Sequence, residues 1–287
     1  MSRIKRGWAL TKKSWALLNG HRELIRFPLY GAVATIPLAL IFLGPGLYFI
    51  DADSFGAAIP LLVIGVYVLS VVGVYFSVGL AACADMIFRG ERASVADGLA
   101  VARSRFAQIC GWAALSTAIS VLMAVLENQG GIFGTLAARL VGMAWSLVTF
   151  LAVPVIAIEG TGAFGTLKRS GEMFRQRWGQ QITGNIAIGG IVALAGFIPG
   201  ALLIGGGVLA WSSASFLGAL LVVLGAIVVA VALLVSKALS GIFGVALYRY
   251  ALDGEPVGGF STADLESAVK VKKGGRNAPP TATPGTV

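Results

Sequence analysis

The chain is poor in charge, in histidine and in cysteine. Only 12% of its 287 residues are Asp, Glu, Lys or Arg, against about 25% in a soluble domain, which excludes an ordinary water-soluble fold. One histidine, His21, leaves no second imidazole for a His-Glu-x-x-His zinc site or any histidine pair. The two cysteines, Cys83 and Cys110, flank apolar runs and read as small apolar fillers rather than redox or metal groups. With the 13 acids scattered along the chain, no carboxylate cluster offers itself to a metal or to acid–base chemistry. The expectation is a non-enzyme with no catalytic residues, cofactor or metal.

What the chain has is apolar length. Hydrophobic residues make up 57% and the mean hydropathy is +0.85. Residues 27–50, 54–84, 106–126, 140–158 and 178–236 carry no charge at all. A bilayer core of about 30 Å takes roughly 20 apolar helical residues, and the last run, 59 residues long, must hold two spans broken near "WSSAS" (211–215). The reading is an all-α integral membrane protein of six spans, at 27–50, 58–84, 109–126, 139–158, 183–210 and 216–236. Together they make a domain over 27–248. Residues 1–26 form a basic segment and 249–270 a short terminal one, in which Ser261 and Asp264 have capping-box spacing. The tail 271–287, rich in Pro, Gly and Thr, reads as disordered.

The net charge of +9 is not spread evenly. Seven Lys or Arg precede the first span, four lie in loop 89–108, four in loop 159–182 and five from Arg249 onward. These segments alternate with connections that hold only Arg139. By the positive-inside rule both termini and both basic loops are cytoplasmic. The connections 51–57, 127–138 and 211–215 are then external and short. About 26 charged-segment residues before a long first apolar run read as an anchor rather than a cleaved signal. Charge so placed points to anionic lipid and not to nucleic acid.

The two basic loops repeat one another. Arg103, Arg105, Phe106 and Gln108 recur 72 residues later as Arg175, Arg177, Trp178 and Gln180. Seventy-two residues is twenty helical turns at 3.6 residues each, so the copies share phase. Val95, Leu99, Ala102 and Phe106 fall on one face, and Leu167, Gly171, Phe174 and Trp178, joined by Phe164, on its counterpart. A third, looser copy puts Ile4, Trp8, Thr11, Trp15 and Leu18 opposite Lys5, Arg6, Lys12 and Lys13. "KKSWALL" (12–18) echoes "KRSGEMF" (168–174). The expected unit is one interfacial amphipathic helix followed by a transmembrane hairpin, three times over, with the stripe buried in lipid and the cations on phosphates. Common ancestry and convergence on an amphipathic design both yield this pattern. The related turns "FRGERASV" (88–95), "IEGTGAFG" (158–165) and "LDGEPVGG" (252–259) fit the same scheme. Headgroup candidates are Trp8, Trp15, Arg103, Arg105, Phe106, Lys168, Arg169, Arg175, Arg177 and Trp178.

Other motifs carry less. "DGLAVAR" (97–103) is similar to the opening of the CDP-alcohol phosphotransferase signature, but its spacing is one residue too long and the metal-binding aspartates do not follow. Ser236 and Lys237 are adjacent and point about 100° apart on a helix, which disfavours a dyad. "GPG" (44–46) and "GGG" (205–207) lack the context of a phosphate loop. Pro154 and Pro199 are expected to kink spans four and five, and the glycines and serines of the last two spans to pack helices closely. Lys237 has two readings. It snorkels at the inner interface, with 238–248 lying in the headgroups, or it is buried against Asp85 or Glu159 and marks an intramembrane polar site that also includes Asn185.

Residues 153–190, with "GLAVARSRFAQICGW" (98–112), resemble an uncharacterised family of prokaryotic six-span membrane proteins, over most of 1–260. More loosely, the Glu-Gly turn and "Lys-Arg-Ser" before a basic-aromatic helix are similar to the membrane domain attached to some glycerophosphodiesterases, a part that is not catalytic. The resemblance implies a bacterial or archaeal cytoplasmic (inner) membrane protein and transfers no catalytic residue. The functional expectation is a non-enzymatic module that engages anionic lipid headgroups, a membrane-protein partner or a second copy of itself. The alternative is a small permease or lipid transporter with a polar path near Lys237.

Overall fold

The apolar runs fold as helices, the one open-ended state in which a segment satisfies its own backbone groups without water. The computed structural model describes residues 14–51, 54–129, 131–178, 188–211, 215–262 and 265, and no strand occurs among them. Helix α1 covers 14–20, and a 3-10 turn, Arg22–Ile25, leads into α2 (Arg26–Asp51). Then come α3 (Phe55–Phe88), α4 (Val95–Ser104), α5 (Phe106–Gln129) and α6 (Gly131–Val148). The chain ends with α7 (Ala152–Glu159), α8 (Ala163–Trp178), α9 (Ile188–Ala210) and α10 (Ser215–Asp253). Expected features at Trp8, Gln180, Asn185, Asp264 and the tail 271–287 lie outside the described residues.

Among the described residues four helical segments are long and apolar enough to cross a bilayer: Arg22–Asp51, Phe55–Phe88, Phe106–Asn128 and Ser215–Asp253. Their flanks leave large apolar side chains uncovered, Leu40, Leu47, Ile59, Phe216 and Val223 among them. Water would penalise such a surface, whereas lipid tails accept it.

The packed core lies at one end, where the arginines of both basic loops also gather. The last turns of α3 (Val78 to Asp85), the body of α7 (Val155, Ile156) and the final third of α10 (Ala238, Leu239, Ile242 to Tyr248) are buried there. This corrects the expectation that 238–248 lie among headgroups. α10 has 39 residues, roughly 58 Å at 1.5 Å each, nearly twice a bilayer core. Its surplus turns are covered by the rest of the protein.

The amphipathic stripes are covered in the same way. Ala102 is fully buried and Val95 and Leu99 pack on the core, while Met173 and Phe174 are buried in a second cluster with Tyr248 and Leu247. Most of each described stripe therefore docks on the bundle, although Phe164 stays exposed. Phe106 departs from its stripe because α4 ends at Ser104 and Phe106 opens α5, half-exposed and edge-on to Tyr75 at 6.4 Å. In α1 the expected face splits, with Leu18 buried and Trp15 48% exposed.

The fourth expected span, 139–158, is instead two helices. The run starts earlier, at Gly131, so most of the expected external connection 127–138 is helical and Arg139 is an exposed residue of α6. It breaks at 149–151 because proline at 154 offers no N–H to residue 150 and its ring clashes with that carbonyl. Pro154 then sits in the first turn of α7, where no N–H is needed. The break leaves the Leu151 N–H without a helical acceptor in a buried place, and Ser170 Oγ of α8 accepts it at 3.2 Å. Pro199, by contrast, lies inside α9 without ending it.

Three turns share one geometry. Gly90, Gly160 and Gly254, the first glycine of each related turn, have φ of 77°, 67° and 80° and follow α3, α7 and α10. A residue in the left-handed region closes the helix, and glycine does so without a Cβ clash.

Candidate functional site

Two acids inside the basic end organise its polar groups. Asp85 stands in the last turn of α3 with its side chain 6% exposed. Arg249 of α10 donates to it from Nε at 2.6 Å and from Nη2 at 2.9 Å, a two-pronged fork. Arg89, one turn on from Asp85, adds an Nε contact at 3.3 Å and turns its Nη1 to Glu91 at 3.0 Å. Glu159, the last residue of α7, receives Arg169 Nε at 2.9 and 3.2 Å on its two oxygens and the Tyr248 hydroxyl at 2.9 Å. The hydrogen bond that Arg169 donates to Glu159 raises its guanidinium above the ordinary range. Tyr248 and Arg249, consecutive on α10, thus tie α7 and α3 to one helix. Low local dielectric makes each such charge-assisted bond strong and each missing partner costly.

Arg105 belongs to neither network. It caps the C-terminal end of α4, and its guanidinium lies flat against Gly160, where a Cβ would collide with it. The positive φ at Gly160 and this close approach both require glycine. The guanidinium lies at the carbonyl end of α7, where the helix dipole favours a cation. Even so, its Nε is buried without a hydrogen-bond partner, as is Oε1 of Gln108 one turn away. Two of the four residues of the repeated motif therefore each carry one buried polar atom without a partner. Beside Arg105 a cleft of about 290 Å³ opens, lined by Asp85, Arg89 and Arg249 together with Met86, Val101 and Ser104.

At the mouth of α4, Ser94 and Asp97 form a reciprocal cap. The Ser94 N–H donates to Asp97 Oδ2 at 2.9 Å and the Asp97 N–H donates to Ser94 Oγ at 3.3 Å. The hydrogen bonds from Ser94 hold the Asp97 carboxyl below its ordinary range. Asp97 is a helix-terminal acid, as its position in the sequence implies.

The structure separates the other expected residues. Arg103, Lys168 and Arg175 are exposed, and the side chains of Arg177 and Trp178 lie outside the described residues. Lys237 is exposed beside a shallow recess formed by Pro28, Gly31, Phe76, Ser77 and Leu80. Asp85 and Glu159 are held by arginines and not by Lys237, which corrects the reading that paired them. Tyr248, Arg249, Ser170 and Gly160 escaped the sequence reading. The signal for Arg249 was present, since it closes a helical run too long for a bilayer and has Asp253 four residues on. Among the described residues no three His, Cys, Asp or Glu side chains come together as a metal would need.

No curated protein and no solved structure matches the chain, so the looser similarity to the glycerophosphodiesterase membrane domain finds no support there. A family described as a family of unknown function (DUF6159) matches residues 56–259, which takes in α3 to α10 and the turn after them. An all-helical, membrane-compatible chain whose matched region covers the whole arginine-rich end belongs to that family.

Proposed function

We propose that the protein is a non-catalytic module of the cytoplasmic membrane whose basic end holds anionic lipid headgroups. In this reading six spans form three antiparallel hairpins with both termini and the basic end cytoplasmic, and packing and charge support it. α9 lies antiparallel along α10, Gly200 opposite Gly225 and Gly207 opposite Gly218, each pair so close that a Cβ would come within 2.7 to 3.0 Å of the other's carbonyl oxygen. If α10 crosses the membrane, α9 crosses beside it. α6 lies similarly on α5, with Trp112 and Trp145 stacked at 5.7 Å and 9°. The shared left-handed glycines after α3, α7 and α10 favour a threefold internal repeat.

The observation that carries the functional reading is the way α4 and α8 are mounted. Most of their apolar faces is fixed on the bundle, and Arg103, Lys168 and Arg175 are held outward, with Phe164 of α8 76% exposed. Cations so placed sit at headgroup level, each worth about 1 kcal/mol next to an anionic leaflet. A permease with a path at Lys237 is not favoured, since Lys237 stands apart from both acid networks.

The test is lipid selection by the full chain. Purified from mixed phosphatidylglycerol and phosphatidylcholine, it should retain phosphatidylglycerol selectively, less so at high salt and in the triple variant Arg103→Gln, Lys168→Gln, Arg175→Gln. Retention indifferent to both salt and variant refutes the headgroup role and leaves a protein partner as the use of that surface.

A further inference from the structure

We propose that the cleft bounded by Arg89, Arg105 and Arg249 is a phosphoryl-binding site, taking either the phosphate of a phospholipid headgroup or a soluble phosphate. The inference deepens the headgroup reading above but rests on different residues. Three guanidinium groups line the cleft and one carboxylate, Asp85, answers them. Glu91 and Asp253 also touch Arg89 and Arg249, at 3.0 and 3.9 Å, but both are about half exposed, where screening leaves such pairs little strength. Among the described residues Arg105 takes part in none of the ion pairs of this end, and its buried Nε is a donor without an acceptor. Buried donors are normally satisfied, and Arg105, which lines the cleft, is the arginine there without a carboxylate partner.

The remaining walls suit the assignment. Ala82, Val101, Ala157 and Ile158 are apolar, so they lower the local dielectric and strengthen any charge-assisted bond. The volume, about 290 Å³, is far above the ~10–15 Å³ that admits one water, which leaves room for a phosphate with part of its hydration. Planar guanidinium forks match tetrahedral oxyanions better than ammonium groups do. Asp85 keeps Arg249 and Arg89 aimed across the cleft and limits the excess charge, which favours exchange over permanent capture. The repeated Arg-x-Arg motif acquires a division of labour on this basis. Arg103 faces the solvent or leaflet, and Arg105, two residues on, serves the cleft.

The experiment uses the full chain in an uncharged detergent, titrated with inorganic phosphate at constant ionic strength and followed by calorimetry. Saturable binding is expected, weakened at least tenfold in Arg105→Gln, less in Arg105→Lys and not in Arg103→Gln. If Arg105→Gln fails to fold, Arg89→Gln, whose side chain is 47% exposed, replaces it and should weaken binding several-fold. A soluble short-chain phosphatidylglycerol separates the sources. Competition with phosphate supports a headgroup ligand, and phosphate binding without competition supports a soluble one. Absence of binding by either probe, or equal weakening by Arg105→Gln and Arg103→Gln, overturns the site. Selective retention of phosphatidylglycerol in the lipid experiment would then leave the surface reading standing without the cleft.

Discussion

Arg249 of α10 holds Asp85 of α3 in a two-pronged fork across 164 residues of chain, at 2.6 and 2.9 Å. The bond joins α3 to the last helix, beside the buried turns of both. Asp85 is the more buried partner, so its charge has most to lose. Arg249→Gln should destabilise the protein by up to about 3 kcal/mol, since it leaves the buried carboxylate only the longer contact to half-exposed Arg89. The double variant Asp85→Leu, Arg249→Met should recover much of that loss. Both are read from denaturant unfolding in detergent. A double variant as unstable as the single would mean that the pair is not what stabilises the end.

Ser170 is the second point of closure. Its hydroxyl oxygen accepts the Leu151 N–H at the break between α6 and α7, and both residues are fully buried. Ser170→Ala leaves that N–H without an acceptor and should cost about 1–3 kcal/mol. Ser170→Thr keeps the oxygen and should cost less unless its methyl is refused. A Ser170→Ala protein as stable as the parent would show that water or a shift of α8 satisfies the break.

These two contacts mark the limit of what the chain discloses. The spans around α2, α3, α5 and α10 were legible because uncharged length is a one-dimensional property. The amphipathic helices were legible as helices from their 3.6-residue period. Their destination was not, because a stripe such as Val95, Leu99 and Ala102 fits a protein groove as well as a membrane surface. Pro154 was expected to kink a helix, but Ser170, 19 residues from the amide it serves, gives no local sign of its task. Local spacing offers Asp85 only Arg89, its i+4 neighbour. Arg249 was out of reach because the pairing depends on how far α10 extends past the bilayer. Arg105 was singled out from a repeat, but only Gly160 beneath it shows why this arginine differs from Arg103.

The cap of α4 should loosen in acid. Asp97 has its carboxyl held below the ordinary value by Ser94. Its contribution is fully present above the unfolded value of about 3.9 and is lost as pH falls through the lower folded value. Hydrogen exchange at Val95 to Gly98, corrected for intrinsic rates, should therefore rise only as pH falls below about 4. Asp97→Asn should remove that pH dependence, and a rise that persists in the variant would assign it to another group.

The glycine register between α9 and α10 is the most exacting feature of the fold. A Cβ at Gly207 would meet the carbonyl oxygen of Gly218 at 2.7 Å, and one at Gly225 would meet that of Gly200 at the same distance. Backbone faces backbone at both levels, so no side chain can yield to make room. In lipid such contacts replace the hydrophobic drive that joins helices in water. Gly207→Ala or Gly225→Ala must push the helices apart, and a cost of about 1–3 kcal/mol is expected from the overpacking. Gly205, two residues from Gly207, has open space where its Cβ would be. Gly205→Ala should be neutral or stabilising by up to about 1 kcal/mol, through helix propensity alone. The contrast is measured by unfolding in mixed micelles and by the yield of a disulfide between cysteines placed at 203 and 221. If all three alanines behave alike, the two helices do not pack in this register, and the inference that α9 crosses the membrane beside α10 fails with it.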